Sequence, residues 1–237
     1  MARRTLLLLA TLFTLVGSAC SSGPPDHRVL FIGNSFTHGN NMPEMVEKIA
    51  DANGVSLDWE MIAPGGAYLS EHATNQEVRD AIFSGEYDVI VFQEQSVITS
   101  VPSMVQEQVL PAARDLDDMA DTVGAKVVWF QTWGHLNGFA EVGHSGYSSM
   151  QDQIVATYDQ LALETGGTVA RAGERWERTQ ASGPPTTLYA SDGYHPSPAG
   201  SYVAAIAIAE AILTPAVVEA PSVSGVDAEL ANFLLAA

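Results

Sequence analysis

The chain alternates short, mostly apolar runs with longer segments in which apolar residues recur at helical spacing. Short apolar runs that are rich in β-branched or aromatic residues are typical of buried strands, whereas the longer amphipathic segments are typical of helices. The predicted strands are Val29–Gly33, Ser56–Ile62, Asp88–Gln93, Lys126–Gln131 and Thr168–Ala170. The predicted helices are Pro43–Asn53, Glu71–Phe83, Met104–Thr122, Ser148–Thr165 and Pro198–Leu213.

This alternation of strands and helices predicts the fold class. Strand-helix-strand units need right-handed crossovers, which give a mainly parallel sheet with helices on both faces. We therefore expect an α/β fold, a three-layer α/β/α sandwich around a mainly parallel five-stranded sheet. Another helix is predicted to start within Arg171–Trp176, Thr214–Ser224 is predicted to follow the surface, and Asp227–Leu235 is predicted to form a last short helix.

The N-terminal segment has the pattern of an export signal. Arg3 and Arg4 supply a positive region, Leu6–Val16 an apolar region, and Gly17–Ala19 a small-residue cleavage site. The predicted organisation is a signal peptide at 1–19, a tether at 20–27, one domain at 28–213, and a C-terminal extension at 214–237 that packs on the same domain.

Cys20 is the only cysteine, so the chain cannot form an intramolecular disulfide. Its place after the small-residue run resembles a bacterial lipobox, in which the cysteine is lipidated and becomes the mature N-terminus. Gly17 stands where leucine is usual, so ordinary cleavage after Ala19 stays open. We expect an exported protein, either a cell-envelope lipoprotein held at the membrane surface through Cys20 or a periplasmic or secreted protein.

The charge is strongly negative, with a net −18 for the whole sequence. Loss of residues 1–20 removes Arg3 and Arg4 and no acid, which leaves 8 basic against 28 acidic residues, a net −20. Such a surface repels nucleic-acid phosphates and anionic lipid headgroups. We expect no nucleic-acid partner, and the mutual repulsion of like-charged copies favours a monomer.

Two distant segments carry residue types that suit nucleophilic catalysis. Ser35 follows the first predicted strand in Gly33-Asn34-Ser35, and open α/β sheets bind ligands at that end of a strand. A serine hydroxyl needs a base before it becomes a good nucleophile. Asp192 stands three residues before His195, and a turn at Gly193 lets the carboxylate reach the imidazole and fix its tautomer.

Gly33-Asn34-Ser35 and Asp192-x-x-His195-Pro196 resemble blocks I and V of the SGNH/GDSL hydrolase superfamily. The resemblance extends from Arg28 to Leu213. It implies a flavodoxin-like SGNH hydrolase fold and a serine esterase in which Ser35 is the nucleophile, His195 the base and Asp192 the group that orients it. No cofactor and no metal are implied.

The resemblance also implies an oxyanion hole formed by the backbone N–H of Ser35, a glycine and a side-chain amide. Gly65 and Gly66 follow the second strand, where the superfamily has its block II glycine, and Gly66 is the first choice. After the third strand the chain departs from the usual Gly-x-Asn-Asp. Some SGNH carbohydrate esterases have Gln-Gly-Glu there, which favours Gln93 as the amide donor, but Gln95 lies on the same side if the strand continues.

The expected substrate is a small-molecule or carbohydrate ester, most naturally an acetylated carbohydrate. Trp133 and His135 follow the fourth strand, where they either line the substrate cleft or simply cover the edge of the sheet. The segment Leu136–Tyr147 is long enough to be a lid or a substrate loop.

Three other readings stay open at this point. One is a non-catalytic surface lipoprotein that binds glycans on the same scaffold. Another is a flavodoxin-like module that holds the phosphate of FMN in the turn at Gly33–Thr37. A metal site would have to combine scattered histidines that lack any HxH or HExxH spacing, namely His38, His72, His135, His144 and His195.

Overall fold

The computed structural model of the protein describes residues 23–213 and 216–237. The predicted signal peptide, the first residues of the predicted tether and the predicted lipidation site at Cys20 lie outside the described residues.

Five strands form a single sheet in which every neighbouring pair is parallel. The strands are β1 His27–Ile32, β2 Leu57–Ile62, β3 Val89–Phe92, β4 Lys126–Phe130 and β5 Thr168–Ala170. Their order across the sheet is β2-β1-β3-β4-β5. The predicted α/β fold with a parallel five-stranded sheet is confirmed. Because β1 lies between β2 and β3, the order reverses beside the end of β1, where such sheets bind ligands.

The side chains of β1 explain why its sequence is apolar throughout. Val29 and Phe31 belong to the core on one face of the sheet, and Leu30 and Ile32 belong to the core on the other face. All four side chains are fully buried. A parallel strand with helices on both faces has no solvent-facing side, so it cannot show the alternation of polar and apolar residues seen at a sheet surface.

The helices form two layers. The helices are α1 Ser35–His38, α2 Met42–Ala52, α3 Leu69–Thr74, α4 Gln76–Phe83, α5 Ser96–Thr99, α6 Pro102–Met104, α7 Leu110–Val123, α8 Tyr147–Thr165, α9 Ala172–Ala181, α10 Pro198–Ile212 and α11 Ala228–Ala236. The core on one face includes residues of α2, α9, α10 and α11, and the core on the other includes residues of α3, α4, α7 and α8. A π-helical turn at Val105–Val109 joins α6 to α7.

Helix α10 is apolar on every side, and each of its residues from Ala199 to Ala209 is buried. A Cβ at Gly200 would lie 2.1 Å from the carbonyl oxygen of Leu188, so glycine is required for this close approach. Ser197 caps the helix by accepting a hydrogen bond from the N–H of Gly200 at 3.2 Å. His195 lies three residues before the start of this deeply buried helix, which therefore anchors its position.

The structure differs from the predicted elements mainly at short breaks. The predicted helix Glu71–Phe83 is two helices, because Asn75 is extended and its side chain accepts a hydrogen bond from the N–H of Glu77 at 2.8 Å, which starts α4. The one-turn helices α1 and α5, each four residues long, begin within a few residues of the ends of β1 and β3 and were not predicted.

Residues 216–237 end in α11, which buries Ala231 and Leu234 in the same core as α10. The side chain of Arg175 donates hydrogen bonds to the carbonyl oxygens of Leu234 at 3.2 Å and Leu235 at 3.3 Å. Along the two described stretches, none of the helices combines the length and the apolar character needed to cross a membrane.

Candidate active site

Ser35 occupies the first position of α1, immediately after the turn that ends β1. The turn is tight, because a Cβ at Gly33 would lie 2.3 Å from Thr37 Oγ1 and 2.7 Å from Gln93 Oε1. Asn34 caps the helix by accepting a hydrogen bond from the N–H of Phe36 at 3.1 Å. These contacts fix the backbone of Ser35 on both sides.

The structure brings Ser35, His195 and Asp192 together in one hydrogen-bonded line. His195 Nδ1 lies 2.7 Å from Asp192 Oδ2, and His195 Nε2 lies 2.9 Å from Ser35 Oγ. Because a carboxylate can only accept, Nδ1 carries the proton and Nε2 is free to accept from the serine hydroxyl. Ser35 and His195 are 160 positions apart in the sequence, and they meet beside the end of β1, where the strand order reverses.

The carboxylate of Asp192 is held by the turn that contains Gly193, which has a φ of 77°. Its Oδ1 accepts hydrogen bonds at 3.0 Å from the backbone N–H groups of Tyr194 and His195. Partial desolvation raises the pKa of Asp192, but the hydrogen bonds from the His195 side chain and these two N–H groups outweigh it and hold the pKa below its ordinary value. Asp192 is therefore ionised and oriented for His195.

Gln93, the first choice for the amide donor of the oxyanion hole, is not among the residues that line the cleft. Gln93 is fully buried. Its Oε1 accepts hydrogen bonds from the N–H of Asn34 at 2.9 Å and from Thr37 Oγ1 at 2.8 Å. Its Nε2 donates to the backbone oxygen of Glu94 at 2.6 Å. The Gln93 amide thus supports the turn before Ser35 and is not directed into the cleft.

Gln95, the second choice, does line the cleft. The strand ends at Phe92, so Gln93 and Gln95 do not share the side that a continuing strand would give them. Gln95 Oε1 caps α5 by accepting from the N–H groups of Val97 at 2.7 Å and Ile98 at 3.1 Å. Within the described residues its Nε2 has no hydrogen-bond partner, which leaves it available to a ligand.

Two backbone N–H groups at the cleft are also unpaired among the described residues. One belongs to Ser35, as expected at the first position of a helix, and the other belongs to Gly66. Gly65 and Gly66 both line the cleft, and Gly66 has a φ of 76°. The side chain of Asn34 donates to the carbonyl oxygen of Ala67 at 3.0 Å, which ties this glycine turn to the segment of Ser35.

A buried carboxyl group lies behind these loops. Glu94 accepts hydrogen bonds from the N–H of Gln95 at 2.6 Å and from the N–H of Leu69 at 3.1 and 3.2 Å. It is only 1% exposed, and burial raises its pKa to about 8 although the two N–H groups act in the opposite direction. Glu94 therefore links the end of β3 to the start of α3.

The cleft has a volume of about 750 Å³. Near His195 its wall is aromatic: the ring centroid of His135 lies 5.2 Å from that of Tyr194 and 5.7 Å from that of Phe139. Tyr194 is 37% exposed, and its ring centroid lies 4.2 Å from that of His195. An apolar, ring-shaped group bound next to Ser35 would therefore contact this wall.

Of the two alternatives left open for Trp133 and His135, His135 lines the cleft and Trp133 does not. Trp133 is fully buried between Phe36 and Trp176, with ring centroids 4.9 and 4.0 Å away. His135 Nε2 lies 3.2 Å from Ser96 Oγ. Desolvation lowers the pKa of His135, although the nearby Asp192 acts in the opposite direction, so the ring is neutral at neutral pH.

Some cleft residues were missed by the sequence analysis. Asn137, Gly138 and Phe139 lie in the segment predicted as a lid or substrate loop, but no pattern indicated which of its side chains face inward. Tyr194 stands inside the Asp-x-x-His motif, at a position that the motif leaves open. The presence of an aromatic residue directly before the predicted base was the available signal.

The histidines do not come together as a metal site. No group of three or more His, Cys, Asp or Glu side chains in residues 23–213 and 216–237 is arranged to hold a metal ion. Three of the rings instead donate to separate carbonyl oxygens at 2.8 Å: His38 to Ala63, His72 to Gly33 and His144 to Ser100.

Solved structures resemble the whole domain. A candidate SGNH hydrolase from Slackia heliotrinireducens is 28% identical, with a TM-score of 0.68 over 79% of this chain and 99% of that chain. A DUF4886 family protein from Bacteroides uniformis is 19% identical, with a TM-score of 0.75 over 89% of this chain and 92% of that chain. An acetyl xylan esterase variant from Geobacillus stearothermophilus is 16% identical, with a TM-score of 0.64 over 82% of this chain and 98% of that chain.

No protein-family model matches the sequence, and no curated protein matches it either. The structural neighbours, with the Slackia protein at 28% identity, confirm the predicted superfamily and its fold.

Proposed function

We propose that this chain, a member of the SGNH hydrolase superfamily, is a serine esterase that hydrolyses carboxylic esters. The observation that carries the proposal is the line of side chains from Ser35 Oγ to His195, 2.9 Å, and from His195 to Asp192, 2.7 Å. A base that lies within hydrogen-bond reach of a hydroxyl, and is oriented by a carboxylate, is the arrangement that activates a serine nucleophile.

In the first half of the reaction, His195 Nε2 takes the proton of Ser35 Oγ while the oxygen attacks the ester carbonyl. The carbonyl oxygen becomes an oxyanion, which accepts hydrogen bonds from the N–H groups of Ser35 and Gly66 and from the Gln95 amide. His195 then gives its proton to the leaving alcohol, and the acyl group stays on Ser35.

In the second half, water attacks the acyl group and His195 takes the proton of the water. Collapse of the oxyanion breaks the bond to Ser35 Oγ, which recovers its proton from His195 as the carboxylic acid leaves. Asp192 keeps the proton on Nδ1 and stabilises the imidazolium that forms in each half.

Replacing the nucleophile tests this proposal. Ser35→Ala should lower turnover of a short-chain aryl acetate at least a thousandfold, because no other hydroxyl is bonded to His195 in the described chain. The matched control is Ser96→Ala, which removes the hydroxyl paired with His135 in the same cleft. Undiminished turnover in folded Ser35→Ala protein, checked by thermal unfolding, would contradict the assignment.

Within this class we propose an acetylated carbohydrate as the substrate. Two observations support it: the aromatic wall of Tyr194, His135 and Phe139 beside His195, and the fold shared with an acetyl xylan esterase. The alcohol that leaves must lie near His195 Nε2 in order to take its proton, and Tyr194 borders that position. An exposed tyrosine ring there offers a flat apolar face to a sugar ring.

A panel of esters tests the substrate class. Tyr194→Ala should raise KM for an acetylated oligosaccharide about tenfold but leave KM for a small aliphatic acetate unchanged, with Tyr194→Phe as the control. Equal effects on both substrates would contradict a sugar subsite. Binding of glycans without hydrolysis of any ester would favour the non-catalytic glycan-binding alternative, and a yellow, flavin-containing protein would favour the FMN alternative.

We further propose that the protein is exported and held at a membrane surface through a lipid on Cys20. The support is the order of the positive, apolar and small-residue regions before this cysteine. In cells fed a labelled fatty acid, the full-length protein should become labelled and Cys20→Ser protein should not. Equal distribution of both proteins between membrane and soluble fractions would contradict the anchor.

A further inference from the structure

Between Ser35 and helix α2 the chain passes through two consecutive residues in the left-handed region. Asn40 has a φ of 53° and Asn41 a φ of 55°. Across residues 23–213 and 216–237, these are the two non-glycine residues with positive φ. Asparagine tolerates this conformation better than most residues, but it persists only where the surroundings fix it, which is common at functional sites.

The side chains of the two asparagines have different partners. The side chain of Asn41 donates a hydrogen bond to Glu44 in the first turn of α2. Neither Asn40 nor Asn41 lines the cleft. Asn40 Nδ2 instead donates to the carbonyl oxygen of Pro196 at 3.0 Å and to Ser201 Oγ at 2.8 Å. Because a carbonyl oxygen only accepts, the atom facing Pro196 must be the nitrogen of the amide.

These bonds cross between the segment that carries Ser35 and the segment that carries His195. Asn40 follows α1, which begins at Ser35. Pro196 follows His195 directly, and the carbonyl oxygen of His195 accepts from the N–H of Ala190 at 2.8 Å. Asn40 and Ala190 therefore hold the two successive peptide carbonyls of His195 and Pro196.

We propose that Asn40 is a positioning residue that sets the separation of Ser35 Oγ and His195 Nε2 by tying the end of α1 to the carbonyl of Pro196. This role rests on the proposed esterase function. Asn40 does not line the cleft, so it acts on the reaction through His195 and not through substrate. Asn40 makes its contact with Pro196 from the left-handed conformation.

Proton transfer depends steeply on this separation, and a misplacement of 1 Å can cost about 100-fold in rate. Other bonds also hold the His195 loop. Trp133 Nε1 donates to the carbonyl oxygen of Tyr194 at 3.0 Å, and Ser197 Oγ donates to that of Thr187 at 2.7 Å. Loss of the Asn40 bonds alone should therefore lower kcat by about tenfold and leave KM unchanged.

Matched glycine variants separate the side-chain bonds from the backbone conformation. Asn40→Gly and Asn41→Gly both relieve the positive φ, but only Asn40→Gly removes the bonds to Pro196 and Ser201. We expect kcat for an aryl acetate to fall about tenfold in Asn40→Gly and to stay within about twofold of the wild type in Asn41→Gly. The rate at which a serine-directed phosphonate modifies Ser35 should fall in parallel with kcat. Equal kcat values for the two variants would overturn the proposal.

Asn40→Asp provides a second test if the glycine variant does not fold. It keeps the shape of the side chain and the tolerance of positive φ but has no N–H to donate to Pro196, so the same loss of kcat is expected at its own pH optimum. With Ser35→Ala inactive, wild-type kcat in a folded Asn40 variant overturns only the positioning role. A Ser35→Ala protein that keeps its activity overturns the esterase proposal itself.

Discussion

Gln93 and Gln95 are separated by one residue, yet they lie in different environments. The Gln93 side chain forms its hydrogen bonds with Asn34 and Thr37, on either side of Ser35, and with the backbone oxygen of Glu94. Gln95 uses its oxygen to cap α5 and leaves its Nε2 for the cleft. The sequence could not separate the two residues, because strand alternation applies only while the strand continues and β3 ends at Phe92.

Gln95→Glu replaces the proposed oxyanion donor with an oxygen of the same size and keeps the oxygen that caps α5. We expect kcat to fall by about 100- to 1,000-fold, since one donor to the oxyanion is lost and a negative charge faces it. KM should change little, and the unfolding temperature should stay near that of the wild type. Steady-state kinetics with an aryl acetate measures the first two quantities.

Gln93→Glu is the contrasting variant. A buried carboxylate there would face the backbone oxygen of Glu94, which now accepts from Gln93 Nε2 at 2.6 Å. An unpaired buried polar group costs about 1–3 kcal/mol, so this variant should lose stability in urea unfolding. If Gln95→Glu kept its activity and Gln93→Glu lost activity without losing stability, the amide roles would have to be exchanged.

At the scale of elements, the strands were the most predictable part of the fold. Four of the five predicted strands match the observed ones to within one residue at each end. In β3 and β4 the reason is burial on both faces, which makes a strand apolar along most of its length, whereas β2 alternates buried Leu57 with exposed Asp58. The start of β1, at His27, lies two residues before its prediction, where polar residues give no signal. The break at Asn75 was also not predictable. In the sequence, a polar residue that caps a helix looks the same as a polar residue on the exposed side of a continuous helix.

The link from β3 to α3 through Glu94 predicts a pH dependence of stability. Burial raises the pKa of Glu94 from its ordinary value of 4.5 to about 8, so the folded protein binds a proton that the unfolded chain has released at neutral pH. Stability should therefore fall as pH rises from about 4.5 to about 8, with a slope of at most about 1.4 kcal/mol per pH unit.

Glu94→Gln isolates this effect, because it keeps the shape of the side chain and cannot titrate. Burial also raises the pKa of Asp117, but only to about 6, so the interval from pH 6.5 to 8 reports on Glu94 with little contribution from Asp117. Urea unfolding across that interval should show the free energy of unfolding declining more steeply in the wild type than in Glu94→Gln. Parallel curves for the two proteins would contradict the buried protonated carboxyl.

At the scale of the whole molecule, the predicted mature net charge of −20 should act on substrates before they reach the cleft. An anionic acetylated oligosaccharide is repelled, and salt screens that repulsion over a Debye length of about 10 Å at 0.1 M. We expect kcat/KM for the anionic ester to rise severalfold between low and moderate salt, while kcat/KM for a neutral acetylated oligosaccharide stays constant. An identical response of the two substrates would rule out this steering.

The position of Ser35 follows from topology, whereas His195 lies in the loop between α9 and α10 and was predicted from the resemblance of its motif. The carboxyl ends of parallel strands gather at one edge of the sheet, and the order β2-β1-β3 leaves a crevice beside β1. No comparable rule of topology determines which residues form the aromatic wall. Phe139 and Tyr194 face the cleft because of loop conformations that depend on contacts made only in the folded chain.

Because Ser35 and His195 are far apart along the chain, the active site can form only late in synthesis and folding. During synthesis the chain can form β1 and β2 early, but His195 is added only after β5 and α9. The pair then meets only when α10 has docked between α2 and α9. The onset of hydrolysis in a refolding or newly synthesised sample should therefore mark the moment at which α10 packs between α2 and α9. Activity would then serve as a direct signal of late folding.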